Sequence, residues 1–347
     1  MRLRQHLTIL GIGSCIVLGA IASPSPAESL EQRPELACWP ETVLAGHPGE
    51  KAIRRAPYNP SIEPKGDAVA LSPLPAKLRG SIRGVRPIHG EKLIALTFDL
   101  CENAWEISGY DAEIVDTLRR LDVKATFFAS GKWLLDHLER AEQLMADPRF
   151  QVGAHSWTHR NFRLLQEGDV KADLALDLKA DAIVRQRLRA KACYRSDASA
   201  ELGHPTLFRF PFGTCNAESL NAVNDAGLLA IQWSVVSGDP APAQSAEAIR
   251  HGVVAGAKPG AIVVMHANGR GWHTAEALPL IIGELRQRGY EFVTAGELLA
   301  KGDPIIADSC YEVKPGDNAK YDKLFPLEPP GKKRPHVENT GEIEQRP

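Results

Sequence analysis

Four short apolar runs in this chain lead into residues capable of acid, base or ligand chemistry. They are Leu96-Thr97-Phe98-Asp99, the run into His155-Ser156-Trp157-Thr158-His159, Leu207-Phe208-Arg209 with Phe210-Pro211-Phe212-Gly213 behind it, and Val264-Met265-His266. One such coincidence means little, because a strand often ends on a polar residue where it reaches solvent. Four in one domain restrict the fold far more. Strands that deliver reactive side chains from their carboxyl ends, with helices between them, are the arrangement of an α/β enzyme with its site on one face of a sheet or barrel.

Strand candidates lie at 93–99, 125–128, 151–155, 207–209, 229–233, 261–266 and 291–293. Each is short and apolar, as a strand covered on both faces should be. Amphipathic helices fall between them. Leu278, Ile281, Ile282 and Leu285 share one face, with Thr274 as N-cap and Gly289 as the stop, and Ile114, Leu118 and Leu121 repeat the pattern. Seven strands alternating with helices predict a distorted parallel (β/α) barrel, closed or incomplete, rather than an open doubly wound sheet. No G-x-G-x-x-G follows a strand and no G-x-x-x-x-G-K occurs, so the common phosphate-binding loops are absent.

The flanks read differently. Residues 1–27 have the form of a signal peptide: Arg2 and Arg4, an apolar stretch from Leu7 to Ala22, then Ser25-Pro26-Ala27. Cleavage after Ala27 would give an exported protein, periplasmic or secreted, with no stable membrane span. Left uncleaved, the stretch would serve as an anchor, although it is short for one. Residues 28–90, rich in Pro, Gly and charge, read as an extended arm. Residues 91–302 form the barrel domain, and 303–347 a C-terminal extension whose end has the composition of a disordered tail. A formal net charge of −2 over 347 residues leaves no nucleic-acid footprint. Oligomeric state is not legible in the sequence.

Of six cysteines, Cys15 lies in the apolar run; the other five would meet an oxidising compartment, and five leaves at least one thiol over. Two bonds are expected, Cys38–Cys310 clasping arm to tail and Cys101–Cys215 joining two neighbouring loops.

His155 and His159 are four apart, so on a helical turn both imidazoles would face one metal ion. Asp99 at a strand end is suited to accept a proton, and Arg209, the one charge in an apolar segment, demands a buried partner, for which Asp99 is the natural candidate. Pro211 and Gly213 make a stiff turn whose backbone N–H groups could face an oxyanion. Asp239 could orient His266 and keep it protonated. Such a set points to metal-assisted hydrolysis.

Thr97 to Asp99, His155 to His159, Arg209 to Gly213, Trp233 to Asp239 and Val264 to His266 match, in order, the five motifs of NodB-type polysaccharide deacetylases, carbohydrate esterase family four. The chain resembles that family over roughly residues 92–299. The resemblance implies a divalent metal, usually zinc, and a reaction that removes N-acetyl groups from an amino-sugar glycan: peptidoglycan, chitooligosaccharide or exopolysaccharide. It implies Asp99 as general base with Arg209 as its partner, His155 and His159 as metal ligands, and His266 as general acid oriented by Asp239. It also places Phe212, Trp233 and Met265 on the oxyanion and substrate side. Two departures stand out. Leu100 occupies the position where the family has a third, carboxylate ligand, and Glu102 is the expected substitute. Pro240 follows Asp239 where the family has a tryptophan wall. Two rivals remain: an amidase or imidase acting on a small C–N substrate, and a glycan-binding protein that has lost catalysis.

Overall fold

The structure, a computed structural model, describes residues 38–66, 71–194 and 206–327. The expected signal peptide at 1–27 and the far end of the C-terminal extension lie outside the described residues. The strands, in chain order, are β1 Arg54–Arg55, β2 Ser81–Pro87, β3 Leu93–Leu100, β4 Glu106–Ile107, β5 Ala125–Ala129 and β6 Phe150–Ala154. They continue with β7 Leu207–Phe208, β8 Leu229–Ile231, β9 Val235–Val236, β10 Ala261–His266, β11 Glu291–Phe292 and β12 Gly302–Ala307.

Seven of them close a barrel in the order β3-β5-β6-β7-β8-β2-β10, and β10 returns to β3. Neighbours from β3 through β8 run parallel, as do β8 with β2 and β10 with β3, whereas β2 meets β10 and β12 antiparallel. The distorted barrel is thus as the sequence implies, with a mixed seam at β2. Every residue of β3 is buried, because the barrel interior covers one face and helices the other. The helix Thr274–Gln287 buries Ala277, Leu278, Ile281, Ile282 and Leu285 against the sheet.

Four expectations about the frame need correction. Ser81–Pro87 is a barrel strand and not part of an extended arm. Its two arginines disguised it, and Arg83 is in fact buried, donating to the carbonyl oxygens of Tyr311 and Glu312. Gly302–Ala307 carries the sheet beyond the expected boundary at 302, pairing along β2. Thr274 is not a cap: His273 precedes the helix, and the Thr274 hydroxyl donates to Asp239 at 2.7 Å. The bonded cysteines are Cys38–Cys193 and Cys215–Cys310, so neither expected pair forms, and Cys101 is free and buried. Cys215 turns outward to the C-terminal segment, whereas Cys101 points into the barrel mouth toward His155.

The Cys215–Cys310 bond spans 95 residues. Replacing both cysteines by alanine is expected to cost about 2 to 5 kcal/mol, because the open chain regains the entropy of that loop. Thermal unfolding checks this; an unchanged melting temperature would show the bond to be dispensable. Among the described residues, no helix is long and apolar enough to cross a membrane.

Candidate active site

The site lies where β3, β6, β7 and β10 deliver their carboxyl ends. Asp99 on β3 sits opposite His266 on β10 in the parallel register. Arg209 follows β7 and is fully buried. Its guanidinium donates to Asp99 Oδ1 at 2.7 Å and to the carbonyl oxygens of Ile231 and Gln232, and it lies over the Phe128 ring. Breaking a buried pair of this kind by removing one partner leaves the other charge without compensation.

His155 ends the run from β6. Its Nδ1–H donates to the Arg209 carbonyl at 2.8 Å, which leaves Nε2 as the bare nitrogen aimed into the site. That Nε2 lies 3.4 Å from Cys101 Sγ and 3.8 Å from Asp99 Oδ2. Burial opposes a second proton on this ring, but the negative charges of Asp99 and Cys101 outweigh it and raise its pKa. A bound cation would take that proton's place.

His159 meets His155 edge on, with ring centroids 4.9 Å apart. The two do not share a helical turn. The segment is a loop in which Ser156 and His159 both take left-handed backbone angles, φ 68° and 52°. The fold compensates for that strain locally. The Ser156 hydroxyl accepts from His159 N–H, Asp177 from His155 N–H, and Asp173 from Trp157 N–H at 2.6 Å. Gly131 makes the approach feasible: a Cβ there would come within 2.8 Å of Asp177 Oδ1 and 2.9 Å of the Trp157 ring. No sequence motif marked Asp173 and Asp177; their spacing of four on the helix Glu167–Ala190 was the available signal.

Burial pushes the Asp173 carboxyl up to about 6. Its folded-state pKa therefore exceeds the unfolded value, so stability falls as pH rises from about 4 to about 6 and then levels off. Asp173→Asn keeps an acceptor for the Trp157 N–H and is expected to stabilise the protein at pH 7 by about 1 to 3 kcal/mol, with little effect at pH 4. Denaturant unfolding at the two pH values checks this, and equal shifts at both would contradict it.

The third donor beside the histidines is Cys101. Its sulfur and donor nitrogens of His155 and His159 all lie within 4.8 Å of one another. Burial would push the thiol up, but the imidazoles of His159 and His155 prevail and hold its pKa well below the ordinary thiol range. Glu102 is elsewhere, which corrects the expectation that it replaces the missing carboxylate. It accepts from Lys132 Nζ at 2.8 Å and from Ser108 N–H at 2.8 Å, in a buried cluster with His137. The reason is strand alternation. Successive residues leaving β3 point to opposite sides, so Asp99 and Cys101 face the site while Leu100 enters the core and Glu102 faces the surrounding helices.

His266 Nδ1 is 2.9 Å from Asp239 Oδ1. Asp239 is fully buried, and it also accepts from the Ser237 hydroxyl, the Thr274 hydroxyl and His266 N–H. Burial alone would lower the His266 pKa; the Asp239 charge more than reverses this and raises it well above the usual value. Met265, expected toward the substrate, is buried in the core instead, because alternation along β10 sends Val264 and His266 to the site and Met265 outward.

Phe212 and Gly213 form a left-handed turn, φ 56° and 61°, and a Cβ on Gly213 would meet the Trp233 ring at 2.6 Å. The Phe212 ring packs edge on against His159, with centroids 4.4 Å apart. Asp99, Cys101, His159, His266, Phe212 and Trp233 all line one cavity of about 530 Å³. A proton acceptor, a protonated imidazole and a three-donor cluster thus converge on one space large enough for a sugar residue.

Residues 87–231 match the model of the polysaccharide deacetylase family. The peptidoglycan-N-acetylglucosamine deacetylase PgdA of Listeria monocytogenes is 32% identical over 208 residues, covering 60% of this chain and 39% of that protein. The chain therefore spans about two fifths of the length of that relative. A peptidoglycan-N-acetylglucosamine deacetylase of Bacillus cereus is 29% identical, over 61% of this chain and 90% of its own length. Among solved structures, a CE4 family pseudoenzyme of Bacillus anthracis superposes with a TM-score of 0.51 at 28% identity, over 66% of this chain and 70% of that one.

Proposed function

We propose that the protein is an exported, metal-dependent hydrolase of the polysaccharide deacetylase type, a reading supported by the family match over residues 87–231 and by the likeness to the deacetylases and the CE4 structure above. Its substrate on this reading is an N-acetylated amino-sugar glycan, and its products are acetate and a free amine. The observation that carries the reading is the pairing of Asp99 with Arg209 and of His266 with Asp239 next to the Cys101, His155 and His159 cluster, with Asp99, Cys101, His159, Asp239 and His266 lining one cavity.

The donor set fits a divalent ion. One thiolate and two imidazoles, one of them already oriented by the Arg209 carbonyl, suit zinc and leave a side open. When bound, the ion supplies positive charge that polarises the amide carbonyl and makes water a better nucleophile. Asp99 takes the proton from the water whose oxygen adds to the carbonyl carbon, with Arg209 holding the carboxylate in place. The Phe212 backbone N–H is the oxyanion donor on this reading, since the Gly213 and Thr214 N–H groups are bonded to the carbonyls of Phe210 and Pro211. His266, held with one nitrogen on Asp239, gives its proton to the sugar nitrogen as the C–N bond breaks. His266→Ala should lower kcat about 10²- to 10⁴-fold and keep the metal; metal analysis showing loss would move His266 into the ligand set.

The disulfides support export to an oxidising compartment. A second reading, a glycan-binding protein without turnover, is favoured by Leu100 and by the likeness to a protein described as a pseudoenzyme. Incubating the zinc-loaded protein with acetylated peptidoglycan, chitooligosaccharides and exopolysaccharide, together with small amides, decides among them. Acetate and free amine in equal amounts from a glycan support the deacetylase. Glycan bound without acetate supports the binder, and turnover of small amides alone supports an amidase.

A further inference from the structure

The cavity wall beside His159 and Phe212 comes from outside the barrel. Glu312, Tyr321, Phe325, Pro326 and Leu327, all from the C-terminal segment, line it. The Phe325 ring lies parallel on Phe212, with centroids 4.1 Å apart and planes within 10°, so Phe212 is held between Phe325 and His159. Phe325 is 39% exposed and is one of the residues that line the cavity.

The segment is anchored to the loops that carry the site. Cys310 is bonded to Cys215, six residues past Arg209. Arg163 donates to both carboxylate oxygens of Asp322, at 2.9 and 3.0 Å, and to the Asn318 side chain and carbonyl. Asn161 donates to Asp322, and Asn318 donates to the carbonyl of Gly213. Asn161 and Arg163 continue the His159 loop, and Gly213 follows Phe212. Pro240, also on the cavity lining, follows the Asp239 that orients His266 and offers no aromatic ring.

We propose that the segment Cys310–Leu327 is the specificity-determining wall of this site, with the Phe325 face as the platform on which a pyranose ring of the substrate stacks. The proposal rests on the deacetylase reading and deepens it. An aromatic face matches the apolar C–H face of a pyranose, and on the cavity wall next to Phe212 it would hold the sugar with its acetamido group toward Asp99 and His266. A wall in this position also selects among substrates by how the chain continues past the reacting sugar.

The test uses the full-length, zinc-loaded protein, its Phe325→Ala and Phe325→Trp variants, and N-acetylglucosamine oligomers of two to six units. Calorimetric binding and the KM for acetate release should both weaken about three- to tenfold in Phe325→Ala, the worth of one stacked ring. Zinc content should be unchanged, kcat should change less than KM, and Phe325→Trp should restore binding. Unchanged affinity in Phe325→Ala overturns the proposal. So does loss of zinc together with binding, which would make the ring a prop for His159. Binding without acetate from the wild type would instead sink the deacetylase reading and leave the platform standing, so the two failures are distinguishable.

Discussion

Asp99→Asn is expected to lower kcat by about 10²- to 10⁴-fold while the protein keeps its fold and its zinc. The substitution preserves shape and removes only the proton acceptor. Asp99 also lies within 4.8 Å of Cys101 and His266, but the Cys101, His155 and His159 set is complete without it, so the ion is expected to stay. Arg209 loses its ionic partner but keeps its bonds to the Ile231 and Gln232 carbonyls, which limits the structural penalty. Steady-state acetate release beside zinc stoichiometry checks this. Wild-type turnover in a folded, zinc-loaded Asp99→Asn protein would remove Asp99 from the base's role.

Cys101→Ser is expected to weaken zinc binding more than the 10- to 100-fold typical of losing an outer-shell partner, because a ligand itself is removed. A serine hydroxyl at that position is neutral and hard, whereas the flanking imidazoles already favour the thiolate. Cys101→Asp should recover much of the loss by returning a carboxylate to the site. Glu102→Ala should leave zinc affinity near wild type, since Glu102 is taken up by Lys132 and Ser108. Competition titration of zinc against a chelator measures all three, and the largest loss in Glu102→Ala would reverse the assignment.

Much of the barrel was legible because most of its strands are short and mainly apolar, and several lead into polar residues. Strand alternation, applied one residue further, would also have placed Cys101 beside Asp99 and turned Glu102 and Met265 away. The loop at His155 was harder, since spacing of four suggests a helix and nothing local signals two left-handed residues. What supports that loop is Asp173 and Asp177 on the helix Glu167–Ala190 that follows it, two carboxylates that carry no motif of their own. Ser81–Pro87 escaped notice because a buried arginine breaks the apolar pattern, and its partners Tyr311 and Glu312 lie some 230 residues away in sequence. Long separation in sequence from Phe212 likewise hid the contribution of Tyr321 and Phe325 to the site. Neither disulfide could be deduced, because pairing depends on which way Cys101 and Cys215 face.

The account's central claim is that a cysteine thiolate stands in for the missing carboxylate and keeps a working metal site in a domain with an altered first motif. The electronic absorption spectrum of the cobalt(II)-substituted full-length protein tests it most directly. A thiolate-to-cobalt charge-transfer band in the near ultraviolet, present in wild type and lost in Cys101→Ser, is the expected result. A cobalt-loaded wild type without that band, or with one that persists in Cys101→Ser, would contradict it.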